Sequence, residues 1–217
     1  MRDAAGTIIA AVNACYDVTE ARTAMRRQQL LLDEINHRVK NTLATVQSIA
    51  RLSRSSADTI GDYAKAFEQR LLALSGAYNL LTENNWEGAD LRQIVERTLA
   101  PYGRSGQTTV EGPPLTLSQK ITLALSATAQ ELATNAAKYG ALSVKDGCVD
   151  VKWSPHEDGR VLFEWRERDG PPVKPPSRRG FGSRLIQDIL AGDSQWTVTL
   201  DYRPTGVVCT ILFAPGG

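Results

Sequence analysis

From about Glu20 to Arg54 the chain contains neither proline nor glycine, and this stretch constrains the fold more than any other. Within it Met25, Leu32, Ile35, Val39, Val46 and Ile49 fall mostly three, four or seven residues apart. That period gathers them on one narrow apolar seam of a long helix. The small polar segment SRSSADT interrupts the pattern, and Ile60, Tyr63, Phe67, Leu71, Leu74, Tyr78 and Leu81 then resume it. Two helices joined by a short polar turn form an antiparallel hairpin, which cannot bury both seams alone. A second copy completing a four-helix bundle is therefore expected, and with it a homodimer.

Beyond Glu83-Asn84-Asn85 helical and strand patterns alternate, which places a domain boundary near residue 85 and makes the chain α+β. Helices are expected at about 90–101 and 117–139, and strands near 107–111, 148–153, 161–167, 196–202 and 207–213. In Val149, Val151 and Trp153, and again in Val161, Phe163 and Trp165, every second residue is apolar, as a half-buried antiparallel strand requires. RPTG at 203–206 supplies a hairpin turn. At the other end, residues 6–20 begin with β-branched and small apolar residues and finish on Asp17 and Thr19, two good helix caps. A strand feeding the long helix is expected there.

Composition narrows the class. A net charge of +1 lacks the basic excess of a general nucleic-acid binder. Cys15, Cys148 and Cys209 lie far apart with no CxxC pair, so neither a zinc site nor a disulfide framework is indicated. No apolar run approaches the roughly 20 residues that span a bilayer, and no basic stretch with an apolar signal segment opens the chain. A soluble protein of the reducing cytoplasm, with no membrane segment in this chain, is the expectation.

Four constellations can carry chemistry. His37, in EINHRVKNTLATVQ, sits beside the seam of the first helix, with Glu34 and Asn41 three and four residues away. Asp33 or Glu34 could hold one ring nitrogen and leave the other as nucleophile; alternatively His37 is an ordinary surface residue. In AQELATNAAKYGALS, Glu131, Asn135 and Lys138 share a helical stripe opposite Leu125, Leu132 and Ala136. A carboxylate and an amide oxygen suit Mg²⁺ and Lys meets phosphate, although such a stripe also serves as a solvated face. In WRERDGPP the alternation carries Glu167 onto an otherwise apolar face, where it needs a partner such as an adenine amino group, unless the strand ends at Arg166 and Glu167 is solvated. PPVKPPSRRGFGSRLIQDIL runs through Gly180 and Gly182 into an amphipathic helix beginning near Ser183, an arrangement that cradles phosphate or is simply a stiff connection.

Together these residues resemble a two-component sensor histidine kinase of the HWE type, with its Bergerat ATP-binding fold, over about residues 20–215. NHRVKNTLATVQ looks like the phosphoacceptor box, ELATNAAKYGALS the asparagine box, WRE the tryptophan-x-glutamate element and GFGSRLI the second glycine box. The resemblance implies an ATP-dependent kinase that phosphorylates its own His37 and passes the phosphoryl group to an Asp of a response-regulator receiver domain. It implies that Asn135 coordinates Mg²⁺, that Glu131 organises the metal or the reacting phosphate, and that Lys138 and Tyr139 contact the nucleotide. Glu167 stands where many Bergerat proteins have their adenine-binding Asp, with Asp169 as substitute, and Gly170, Gly180, Gly182 and Ser183 border the nucleotide or form its lid.

The resemblance further implies a hairpin for dimerisation and phosphotransfer over 20–84 and an α/β-sandwich ATP-binding domain over 85–217. Residues 1–19 are similar to the exit of a PAS sensory domain. One departure stands out: Gln130 occupies the position where the family usually has His, and an amide cannot act as a base near neutral pH. The competing reading is a non-catalytic phosphotransfer or scaffold protein with a decayed nucleotide site.

Overall fold

In a computed structural model the structure describes residues 5, 16–55, 57, 59–84, 86–104, 106–173 and 196–215. The strand expected ahead of the long helix, Cys15, and the lid residues Gly180, Gly182 and Ser183 lie outside the described residues. The chain divides into two compact units, residues 1–44 and 45–217.

Helix α1, Thr19–Ser55, fills the stretch free of breakers, and its first turn is fastened where Asp17 Oδ1 accepts the Thr19 N–H at 2.9 Å. In the first unit Met25, Leu32, Ile35, Val39 and Leu43 are exposed. The second unit begins with the last turns of α1, where Ile49 is buried, and continues into α2, Ile60–Glu83, capped by Thr59 through its side chain. Leu74, Ala77, Leu80 and Leu81 turn inward from α2.

The strands follow the period-two reading. β1, Ala89–Asp90, leads directly into α3, Leu91–Leu99, and pairs antiparallel with β3, Thr116–Leu117. Between them lies β2, Thr108–Glu111; after β3 comes α4, Gln119–Lys138, then a 3-10 turn, Ala141–Ser143. β4, Cys148–Pro155, β5, Val161–Arg168, β6, Thr197–Arg203, and β7, Gly206–Phe213, complete the domain. The five-stranded sheet runs β2-β4-β5-β7-β6 and is antiparallel throughout except for the parallel pair β2–β4. This is an α+β fold with a helical N-terminal part and a mixed sheet.

One face of the sheet is dry. Val149, Val151 and Trp153 of β4, Val161, Phe163 and Trp165 of β5, and Ile211 and Phe213 of β7 share a core with Leu91, Ile94, Ile121, Leu125, Leu132 and Ala136 from α3 and α4. Each large side chain buried there contributes on the order of 1.5–3 kcal/mol. The opposite face carries ion pairs, Arg168 with Asp150 at 2.6 Å and Lys152 with Glu111 at 2.8 Å, which explains the alternation. The parallel β2–β4 crossover places α4 across the dry face and delivers its C-terminus beside the end of β5.

Candidate functional site

The site grows from the place where α4 stops. Asn135, Lys138 and the α4 cap Tyr139 are exposed, and Tyr139 and Gly140 close the helix by donating their N–H groups to the Asn135 carbonyl at 2.8 and 3.1 Å. The chain then folds back as the 3-10 turn, with Ser143 Oγ donating to Gly140 O at 2.6 Å. Behind this turn stands Glu167, next to last in β5.

β5 keeps its alternation to the end, so Glu167 lies on the dry face and is only 4% exposed. The reading in which Glu167 is solvated does not hold. The Ala141 N–H donates to Glu167 Oε2 at 2.9 Å. Burial pushes the carboxyl above the usual carboxylate range, while the Ala141 N–H and the Trp165 indole favour the ionised form. The buried Trp165 N–H nevertheless makes no hydrogen bond of normal geometry among the described residues. Asp169, by contrast, is exposed, in the left-handed region at φ 57°, and 3.7 Å from the Arg168 guanidinium. Of the two carboxylates considered for adenine, only Glu167 is buried.

Glycines make this approach of turn to strand possible. A Cβ on Gly140 would sit 2.0 Å from Glu167 Oε2, and one on Gly170 would sit 2.7 Å from Ala141 Cα. Gln107, buried just ahead of β2, holds the far side of the turn: its amide donates to the carbonyls of Val144, Lys145 and Gly147 at 2.9, 3.2 and 2.9 Å. Gly140 lies within the asparagine box, where nothing in the sequence marks this contact, and Gln107 gives no periodic signal.

Glu131 departs from the stripe. Its carboxylate is gripped from α2, where Arg70 Nε donates to Oε1 at 2.7 Å and Nη2 to Oε2 at 3.2 Å. Arg70 Nη1 donates to Ser53 Oγ at 2.8 Å. Both Glu131 oxygens are thus engaged by a cation, and no sequence pattern links residues 61 positions apart. Gln130 turns the other way, donating from Nε2 to the Tyr102 hydroxyl at 2.6 Å, with Thr134 Oγ1 at 3.4 Å.

His37 belongs to the first unit and is exposed on α1. The carboxylates expected to orient its ring bond elsewhere: Glu34 pairs with Arg38, whose Nε lies at 3.1 Å, and Asp33 accepts from Gln29 at 3.1 Å. Both are i,i+4 pairs, as Asp33 with His37 would be, so spacing alone does not select the partner.

Mg²⁺-ATP demands oxygen ligands for the metal, a cation for phosphate and an acceptor for the adenine amino group. The exposed Asn135 amide and the neighbouring Lys138 offer an oxygen ligand and a phosphate contact, and Glu167 offers a buried acceptor. Glu131 fits only after Arg70 lets go. Among the described residues no group of three or more His, Cys, Asp or Glu could hold a metal by itself, and no helix is long and apolar enough to cross a membrane.

Comparison with known proteins adds an independent line. The family model described as HWE histidine kinase matches residues 34–114. Over 201 residues the chain is 39% identical to blue-light-activated histidine kinases of Brucella ovis and Brucella abortus, a match that covers 90% of this chain. It spans 41% of the length of those relatives. The histidine kinase domain of the Erythrobacter litoralis EL346 blue-light activated histidine kinase shares the fold at a TM-score of 0.60 and 21% identity, over 90% of this chain and 94% of that one. The longer structure of the same kinase gives 0.60 at 19% identity over 95% and 63%.

Proposed function

The chain belongs to the HWE histidine kinase family, matched across residues 34–114, and on that premise we propose that it is an ATP-dependent autokinase that phosphorylates His37. The observation that carries the reading is the end of α4: exposed Asn135, Lys138 and Tyr139 stand one turn from a buried carboxylate, Glu167, that no basic side chain among the described residues neutralises.

In this reading residues 20–84 present the acceptor and 85–217 hold the donor nucleotide. Lys138 and Tyr139 contact the nucleotide, and Glu167 accepts from the adenine amino group, with Asp169 as the substitute and Gly170, Gly180, Gly182 and Ser183 bordering the nucleotide. Mg²⁺ held by Asn135 and Glu131 would neutralise charge on the phosphate oxygens. The neutral imidazole of exposed His37 supplies the electron pair; the new N–P bond replaces the γ-phosphoryl bond to ADP, and the ring gives up its proton. The phosphoryl group then passes to an Asp of a response-regulator receiver domain. The apolar seam of α1 pairs two copies, and the protein works in the cytoplasm.

Incubation of the purified protein with γ-labelled ATP and Mg²⁺, beside His37→Ala and Asn135→Ala, tests this. Acid-labile, alkali-stable label on the wild type alone is expected. Tight nucleotide binding without label would indicate an ATP-binding protein that does not transfer to histidine, and neither label nor binding would leave the scaffold reading, for which Gln130 speaks.

A further inference from the structure

Among the described residues Arg70 is the only buried basic side chain, 9% exposed in an interface otherwise built from Ile49 and Leu74, with Val46, Phe67, Tyr78, Leu123 and Ala127 around them. A guanidinium in such surroundings requires partners on every donor edge. It finds them on two other helices: Glu131 of α4, held through both oxygens, and Ser53 in the last turn of α1. The cluster therefore ties the end of the hairpin to the helix that carries Asn135, Lys138 and Tyr139.

This arrangement conflicts with the role given to Glu131. A carboxylate whose two oxygens face a guanidinium cannot also serve a dication without the two positive charges repelling each other. Nor can Glu131 turn away while α2 stays in place, because the buried Arg70 would then lose its counter-charge. Separation of α2 from α4 relieves both problems, since it returns Arg70 to water and frees Glu131 for the metal.

We propose that Arg70, Glu131 and Ser53 form a latch that holds a resting arrangement, in which binding of Mg²⁺-nucleotide and release of α2 from α4 are a single coupled event. The proposal rests on the reading of Glu131 as a metal-organising residue. Linkage makes the coupling reciprocal: a weaker latch strengthens the metal-dependent part of nucleotide binding, and metal-loaded nucleotide weakens the latch. A loss of mere structural support would instead lower affinity with and without metal alike.

The test is calorimetric titration of ATP into the full chain, with Mg²⁺ and with EDTA, for wild type, Arg70→Met and Ser53→Ala. The readout is the ratio of metal-free to metal-bound Kd. Arg70→Met should raise that ratio about tenfold while leaving the metal-free Kd nearly unchanged, and Ser53→Ala should raise it about two- to threefold. Autophosphorylation at subsaturating Mg²⁺-ATP should quicken in the same order, and the difference should vanish at saturation. If Arg70→Met fails to fold, Ser53→Ala decides by the same ratio. An unchanged or lowered ratio in the folded variants overturns the latch, as does a fall in label at constant ratio, which would make Arg70 a prop for the active geometry. Wild-type protein that binds no ATP would overturn the kinase reading itself, and the latch with it.

Discussion

Glu167 occupies a strand position where its neighbours on the same face are Val161, Phe163 and Trp165, and one backbone N–H is the hydrogen bond it receives from the turn. Burial raises its folded-state pKa above the ordinary 4.5, so the native protein binds this proton more tightly than the unfolded chain does. Ionised Glu167 therefore costs stability at pH values above its folded pKa, and the cost fades as pH falls through that pKa toward the ordinary value. Glu167→Gln keeps an acceptor for Ala141 without the charge. Its Tm should exceed that of the wild type at pH 8, with the gain shrinking as the pH approaches about 4; a gain independent of pH would trace to packing instead. Gly140→Ala tests the neighbouring contact. The added methyl would lie 2.0 Å from Glu167 Oε2, so the turn must shift, at a cost of about 1–3 kcal/mol in denaturant unfolding. Weaker ATP binding should accompany it, and normal stability would show that the turn yields freely.

Between the elements, the loop from the 3-10 turn to β4 depends on Gln107, whose amide hydrogens serve three carbonyls. Gln107→Leu should cost about 1–2 kcal/mol, because the buried Gly147 carbonyl and two partly buried ones lose their donor, and amide exchange should quicken first at residues 141–147. Uniform exchange across the domain would show instead that the loop has no separate stability. Such ties were invisible in the sequence, for a physical reason. Periodicity reports which face of a helix or strand is dry, and on that evidence α1, α2, α4 and the four long strands β4–β7 were legible to within a few residues. The same rule put Glu167 on the buried face. It says nothing about which strand lies beside which: the parallel β2–β4 pair and the two-residue β1–β3 ladder follow from chain crossing, not from local pattern. Nor does it reveal Arg70 and Glu131, where an apolar-looking helix face conceals a charge whose partner is distant in sequence.

At the scale of the whole molecule, the unanswered demand is the seam of α1. Met25, Leu32, Ile35, Val39 and Leu43 remain 47–74% exposed, far more apolar surface along one helix face than scattered surface leucines would give. If pairing with a second copy buries each side chain for on the order of 1 kcal/mol, the two copies together recover roughly 10 kcal/mol. That lies within the estimated cost of association, about 4–15 kcal/mol, so the balance is close enough for a few substitutions to decide it. Lysines at two seam positions should do so, since Lys forms helix as readily as the residues it would replace but is disfavoured in a buried seam. The expected result is a dimer in sedimentation equilibrium at micromolar concentration for the wild type and a monomer for Leu32→Lys/Val39→Lys, with unchanged far-ultraviolet helix content. A wild type that stays monomeric at tens of micromolar would refute pairing through this seam. A double variant that stays dimeric would move the interface to another surface.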